Sequence, residues 1–436
     1  MDQDLHKIRA IALPAIATNV TVPLLGLVDT AITGHLGATA YIGAVAVGGM
    51  MFNMMYWLLG FLRMATSGIT AQAHGADDHI KTDEARWQSM SYALALGTAI
   101  IVLQWPLLML MRLFFAPSAD IDVLAARYFQ ILVWGAPAVL MTHSLSGWFL
   151  GMQDARNPMV IAVTQNIVNI VASLILVLGF GLKIEGVAFG TLIAQWAGFA
   201  IAIWRYHTTQ HRPTKLWNWL LRGGNRFFSI SRDIFLRTLC LVAVMSWFTR
   251  TGTAQGETIL ATNTVLMEFF VITSYILDGL ANAGEAIGGS LFGAGDTRGL
   301  RRILRKLILI GAAVATGFTI AFIIGGEAFI ALLTDIPEVR ITAANYMIFI
   351  IFTPIISFIA FLLDGVFIGC TQTRAMLLSV AIASGLFFLM LQISVENANK
   401  LLWTAFLSYL GVRGLILCIA TPQLLHAASR NKRGKL

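Results

Sequence analysis

The sequence predicts an all-α polytopic membrane protein with twelve transmembrane helices in two six-helix lobes, related by a pseudo-two-fold axis along the membrane normal. Three observations carry that prediction. The 436 residues are 57% hydrophobic and only 12% charged, whereas a soluble domain is about 45–50% apolar and about 25% charged. The apolar residues gather into runs of roughly 20 or more, the length a helix needs to cross a bilayer. The two halves of the chain also repeat each other at a fixed offset.

The composition leaves too little polar surface to cover a water-soluble fold of this length. Cys240, Cys370 and Cys418 lie far apart in apolar runs. They form neither a disulfide framework nor a metal-ligand pattern, so no metal site and no cofactor is expected. The N-terminal MDQDLHKIRA is polar and leads straight into the first span without a small-residue cleavage site, so no removable signal peptide is expected.

In the first half the spans fall at 8–33, 41–73, 87–115, 122–151, 158–181 and 186–206. In the second they fall at 232–252, 257–291, 302–333, 341–369, 374–394 and 401–425. Spans two and eight are longer than a bilayer requires, which predicts tilt or extension beyond it. Lys and Arg concentrate in alternate connections: Lys7 and Arg9, Lys81 and Arg86, Arg156, the stretch 205–232, Arg298 to Lys306, Arg374, and the tail from Arg430. The intervening connections hold little beyond Lys183, Arg250, Arg340 and Lys400. Positive residues accumulate on the cytoplasmic side, so both termini are expected there. The net charge of +8 is therefore a topology signal and a contact for anionic membrane lipids, and no nucleic acid is called for.

Residues 128–159 read YFQILVWGAPAVLMTHSLSGWFLGMQDARNPM, and 346–376 read YMIFIIFTPIISFIAFLLDGVFIGCTQTRAM. Tyr128 matches Tyr346, Gly147 matches Gly365, Gly151 matches Gly369 and Arg156 matches Arg374, all 218 residues apart. AQAHGADD at 71–78 against SLFGAGDT at 290–297 sets Gly75 over Gly293 at the same offset. Six spans plus six, each set starting and ending on one side, make two parallel repeats, the plan of secondary transporters that rock around a central cavity. The expected division is an N-lobe at 1–207, a cytoplasmic linker at 208–230 and a C-lobe at 231–436.

Five strings resemble the multidrug and toxic compound extrusion (MATE) transporters, in their DinF-like branch. They are LPAIATNVTVPLLGLVDTAITGHLG (13–37), FLRMATSGITAQAHGADD (61–78), LSGWFLGMQDARNP (145–158), LDGLANAGEAIGGSLFGAGD (277–296) and LLDGVFIGCTQTR (362–374). The resemblance covers essentially the whole chain. It implies a V-shaped pair of six-helix lobes and export driven by a proton or sodium gradient, with Asp29 where the family's first-span cation-coupling aspartate falls.

Physical chemistry asks for a special role at Asp29 as well. An ionised Asp at mid-bilayer costs about 2.5–3.5 kcal/mol on the insertion scale. A carboxylate held near the balance between charge and neutrality can load and release a cation as a cavity alternates between wet and closed. The alternative is a permanently neutral acid bonded to a neighbouring helix. In span five, NIVASLILVLG resembles the family's Asn-Ile-x-x-Asp pattern, with Asn169 matching and Ser173 standing where the second acid would be. One carboxylate suffices for a proton, and sodium remains possible through hard oxygen ligands. Asn166, Thr191, Asn19 and Thr33 are further polar candidates, each able to serve instead as helix–helix glue.

Arg63 has Ala281 as its repeat partner and reads as a counter-charge for a carboxylate, as a gate contact, or as a structural ion pair. Asp278 and Glu285 in span eight, seven residues apart, project from nearly one helical face, and Asp364 lies in span ten. They are candidates for substrate or a second ion, since an acidic wall attracts cations; the alternative is pairing with Arg237. No GxxxxGK[ST] pattern occurs, so energy comes from an ion gradient, and no enzyme site assembles. The expected protein is a bacterial inner-membrane antiporter, acting as a monomer, that exports small amphipathic cationic compounds in exchange for protons. A flippase for lipid-linked precursors, an intramembrane enzyme and a passive channel are the alternatives.

Overall fold

In lipid a chain must satisfy its own backbone donors and acceptors, and a helix does so within one segment. The structure, a computed structural model, describes residues 3–34, 39–116, 118–209, 224–393 and 395–433, and these contain helices and no strand. The first half comprises α1 (Gln3–Gly34), α2 (Thr39–Leu58), α3 (Phe61–Gly75), α4 (His79–Val102), α5 (Gln104–Phe115), α6 (Ala119–Leu132), α7 (Ala136–Gly151), α8 (Arg156–Leu174) and α9 (Ile184–Thr209). The second comprises α10 (Gly224–Ala254), α11 (Glu257–Ala294), α12 (Thr297–Leu333), α13 (Pro337–Gly369), α14 (Thr373–Met390) and α15 (Ala398–Arg433). Each expected span coincides with one helix or with helices in series. Among the described residues nine stretches are long and apolar enough to cross a membrane, and α4 with α5 makes a tenth. α1 and α10 stand where spans one and seven are expected.

The interruptions have local causes. α4 and α5 meet at a 74° bend, where Pro106 lacks the N–H that would bond the Val102 carbonyl. A 3₁₀ turn at Val133–Gly135 precedes α7, which carries Pro137 in its first turn. α8 runs into a π-helical turn at Ile175–Gly179, a local widening of the helix that is frequent beside functional sites.

The chain divides into two compact units: an N-unit of Ala17–Thr70 and Asp78–Ser231, and a C-unit of Met1–Ile16, Ala71–Asp77 and Arg232–Leu436. The linker expected at 208–230 falls largely on 210–223, outside the described residues. In the N-unit α2 packs on α6, α4 on α7 and α8 on α9, and Leu145, Trp148, Phe149, Ile161 and Tyr206 form a core where α7, α8 and α9 meet. A buried hydroxyl chain stitches α3, α4 and α7: Thr66 bonds Ser89, and Ser89 Oγ donates to Ser144 Oγ at 2.7 Å.

In the C-unit α13 is central, flanked by α11, α12 and α15. Phe269, Phe387, Trp403, Phe406 and Tyr409 fill the core. There Asn263 and Asn399 exchange amide bonds of 2.8 and 3.1 Å, and Trp403 Nε1 donates to Asn263 Oδ1 at 2.9 Å.

The repeat extends to backbone geometry. Asp78 caps α4 through the Lys81 N–H at 3.0 Å, and Asp296, 218 positions on, caps α12 through the Gly299 N–H at 2.9 Å. Left-handed residues recur at the same offset: Asp77 (φ 56°) with Gly295 (φ 74°), and Gln153 (φ 63°) with Thr371 (φ 52°). Gly147 sits against the backbone of Arg63, and Gly365 against that of Ala281, its counterpart.

Within the C-unit the repeats touch reciprocally. A Cβ on Gly75 would strike the Ser290 backbone, and one on Gly293 would strike the backbone of Gln72. Gln72 and Ser290 are themselves repeat mates, so the two contacts exchange under the same two-fold relation. Only glycine permits so close an approach, which is why both halves carry it here.

Candidate functional site

In the N-unit, helices α1, α6, α8 and α9 bring polar groups together in an apolar setting. Asp29 on α1 is 7% exposed, and its Oδ1 has no hydrogen-bond partner among the described residues. The Tyr128 side chain from α6 lies within electrostatic range of Asp29 and beside the Thr191 hydroxyl of α9. Asn169 on α8 donates through Nδ2 to Thr191 Oγ1 at 2.9 Å, and Thr191 donates to the Val187 carbonyl at 3.0 Å. Ser173 lies one turn beyond Asn169 on the same helix. Both are fully buried, and neither Asn169 Oδ1 nor Ser173 Oγ has a hydrogen-bond partner among the described residues.

Two glycines shape this cluster. A side chain at Gly190 would collide with Ser173, so α9 can approach α8 here only because that position is bare. A Cβ on Gly48 of α2 would press into the Tyr128 ring, so that glycine gives the ring its seat. The cluster thus offers amide and hydroxyl oxygens, with one carboxyl group within electrostatic range of them. Such a set can hold a proton or a small hard cation.

The other N-unit candidates have different places. Asn166 Nδ2 donates to the Thr21 carbonyl at 2.9 Å and ties α8 to α1, the glue role considered for it. Thr33 donates to the carbonyl of Asp29 on its own helix at 2.8 Å. Asn19 is half-buried on α1. Arg63 on α3 lies within electrostatic range of the half-buried His143 of α7, at the crossing where Gly147 meets the Arg63 backbone.

In the C-unit the acids divide. Asp364 Oδ2 accepts hydrogen bonds from both Arg237 of α10 and Arg413 of α15. The alternative of pairing with Arg237 is therefore what the structure shows for Asp364, with a second guanidinium added. One carboxylate between two guanidiniums leaves the triad with a net positive charge, so Asp364 adds no negative wall. Arg413 also stands over the Tyr409 ring at 5.5 Å. Glu285 on α11 is 1% exposed, while Asp278 is half-buried and near Tyr275.

The MatE family model matches the chain twice, at residues 14–175 and 233–393. The chain belongs to the MatE family. Its two matches fall on the two repeats, and Asp29, Tyr128 and Asn169 all lie within the first. The chain is similar to DNA damage-inducible protein F of Escherichia coli (strain K12), with 37% identity over 411 residues, covering 93% of this chain and 90% of that protein; this agrees with the DinF-like branch. The protein named "Probable multidrug resistance protein NorM" of Thermotoga maritima is 28% identical over 199 residues, 44% of this chain and 42% of that one. The MATE transporter VcmN of Vibrio cholerae, in its bent form, has the same fold: TM-score 0.85 over 98% of each chain at 16% identity. MatE proteins are multi-pass membrane transporters, not enzymes.

Sequence reading misses Tyr128, Gly190, Gly48 and Arg413 as members of these sites. Tyr128 reads only as a repeat marker, and a tyrosine in an apolar span gives no sign of which carboxylate it meets. Gly190 and Gly48 resemble any other glycine until the helix crossings are known. Arg413 was legible, since a single Arg in SYLGVRGLIL is the same signal as Arg63.

Proposed function

We propose that this protein is a gradient-driven multidrug exporter of the bacterial inner membrane, with both termini cytoplasmic, that exchanges amphipathic organic cations for protons. Sodium is the alternative coupling ion, and Asp29 is the coupling carboxylate. The observation that carries the reading is the buried Asp29, within electrostatic range of Tyr128, which stands beside the bonded Thr191 and Asn169. The name of the Thermotoga maritima relative supports multidrug substrates.

In the proposed cycle a cation neutralises Asp29. The charge that opposed burial is then gone, and α1 can repack. Pro23 precedes Asp29 by six residues and supplies no N–H to the helix ladder, which gives α1 a point at which to bend. Each cation entering across 100 mV yields about 2.3 kcal/mol, to which any concentration gradient adds. The flippase alternative would want a cationic cavity wall. Arg237 and Arg413 do not supply one, being buried and committed to Asp364.

The test is substrate-triggered ion flux in proteoliposomes, comparing the native chain with Asp29→Asn. Proton movement without sodium, lost in the variant, is the expected result. Full gradient-driven efflux by Asp29→Asn would remove the coupling role.

A further inference from the structure

The first three turns of α12 carry five cations, Arg298, Arg301, Arg302, Arg305 and Lys306, which line a groove of about 530 Å³. The helix is two-faced here. Gly299, Leu300, Ile303, Leu304 and Leu307 are buried against the rest of the C-unit, while the four arginines face outward. Two carboxylates lie nearby. Asp296 is committed to capping the helix. Asp4 accepts from Arg302 Nε at 2.8 Å and Lys306 Nζ at 2.6 Å, which fixes those two side chains. Among the described residues Arg298, Arg301 and Arg305 make no salt bridge, so the groove keeps an excess of positive charge. Asp296 offsets the helix N-terminus, and the attraction is therefore that of the side chains.

What lies below the cations decides the ligand. Following α12 by three or four residues at a time from Arg302 and Arg305 leads to Leu309, then through Ala313 and Thr316 to Ile320, Ile323 and Ile324. Leu309 is 69% exposed and Ile324 82% exposed. One helical face thus passes from a cluster of guanidiniums into an uncovered stripe that is apolar but for the one threonine hydroxyl. A free phosphate or a nucleotide would use the cations and leave the stripe bare. A molecule with an anionic head and hydrocarbon tails matches both parts. Basic clusters at the membrane border attract anionic headgroups.

We propose that this groove is a specific binding site for an anionic phospholipid, its phosphate among Arg298, Arg301 and Arg305 and its acyl chains along the Leu309–Ile324 stripe. Such a lipid would be held against α12 at the border expected to be cytoplasmic. The site is separate from the Asp29 cluster and does not depend on which cation drives transport.

The experiment is native mass spectrometry of the purified full-length protein in detergent, titrated with phosphatidylglycerol or with phosphatidylcholine. The native chain is expected to retain phosphatidylglycerol in preference to phosphatidylcholine. Arg298→Gln, Arg301→Gln and Arg305→Gln together are expected to weaken retention roughly tenfold or more, from the loss of three surface cations. The matching three Arg→Lys changes keep the charge and should keep most of the binding, which separates loss of the site from loss of the fold. Removing three charges elsewhere, by Lys81→Gln, Arg374→Gln and Arg430→Gln, should leave it unchanged. Equal retention of the two lipids, equal weakening by the distant triple, or displacement of phosphatidylglycerol by millimolar inorganic phosphate would each overturn the proposal.

Discussion

Asp364→Asn is the substitution whose consequence the structure specifies most closely. The carboxylate sits between Arg237 and Arg413, and all three residues are at most 7% exposed. Removing its charge leaves two buried guanidiniums facing each other with no counter-ion. Breaking a buried pair in this way costs about 3–5 kcal/mol. For a unit of about 150–250 residues each kcal/mol moves the melting temperature by about 2–4 °C, so a fall of about 6–20 °C is expected.

Arg413→Leu should cost less. It leaves a neutral Asp364–Arg237 pair and forfeits roughly one charge-assisted hydrogen bond, worth about 1.5–3 kcal/mol. Replacing all three residues with apolar ones should recover most of the loss, since buried ionic groups often exchange for hydrophobic packing at little cost. The assay is thermal unfolding of the purified protein followed by intrinsic fluorescence. If Asp364→Asn melts within about 2 °C of the native chain, or if Arg413→Leu is the more damaging change, Asp364 is not the counter-ion that stabilises the two guanidiniums.

Two further outcomes follow from particular contacts. Gly293→Ala places a methyl on the Gln72 backbone and should destabilise by about 1–3 kcal/mol, whereas Gly317→Ala, with nothing within 4 Å, should be neutral or gain up to about 1 kcal/mol; equal melting of the two would contradict the close crossing. The Lys306 ammonium bonded to Asp4, with Arg302 beside it, holds the Asp4 carboxyl below its ordinary value of 3.8. A lowered value means that the pair stabilises the fold above that pH and stops doing so as pH falls through it, so the stability gap between native and Asp4→Asn should be present at pH 6 and close towards pH 3. A gap that stays constant over that range would count against the ion pair.

Much of the architecture follows from local chemistry and was legible without coordinates. An apolar run of bilayer length has few options other than a helix. Gly75 with Gly293 and Gly147 with Gly365 mark a duplication because these four sit where backbones must touch. The intramembrane carboxylate was equally legible, since a charge in an apolar span is costly wherever it falls.

What the sequence did not contain was the identity of each polar group's partner, because that depends on which helices cross and at what depth. Asp278, Glu285 and Asp364 look alike as acids in apolar runs. Only the meeting of α10 and α15 with α13 sets two guanidiniums on Asp364 and makes that one acid the centre of a cationic triad. Likewise Tyr128, 99 residues from Asp29 along the chain, comes within electrostatic range of it only in the folded protein. Residue type sets the energetic cost of burial, and tertiary contact decides how that cost is met.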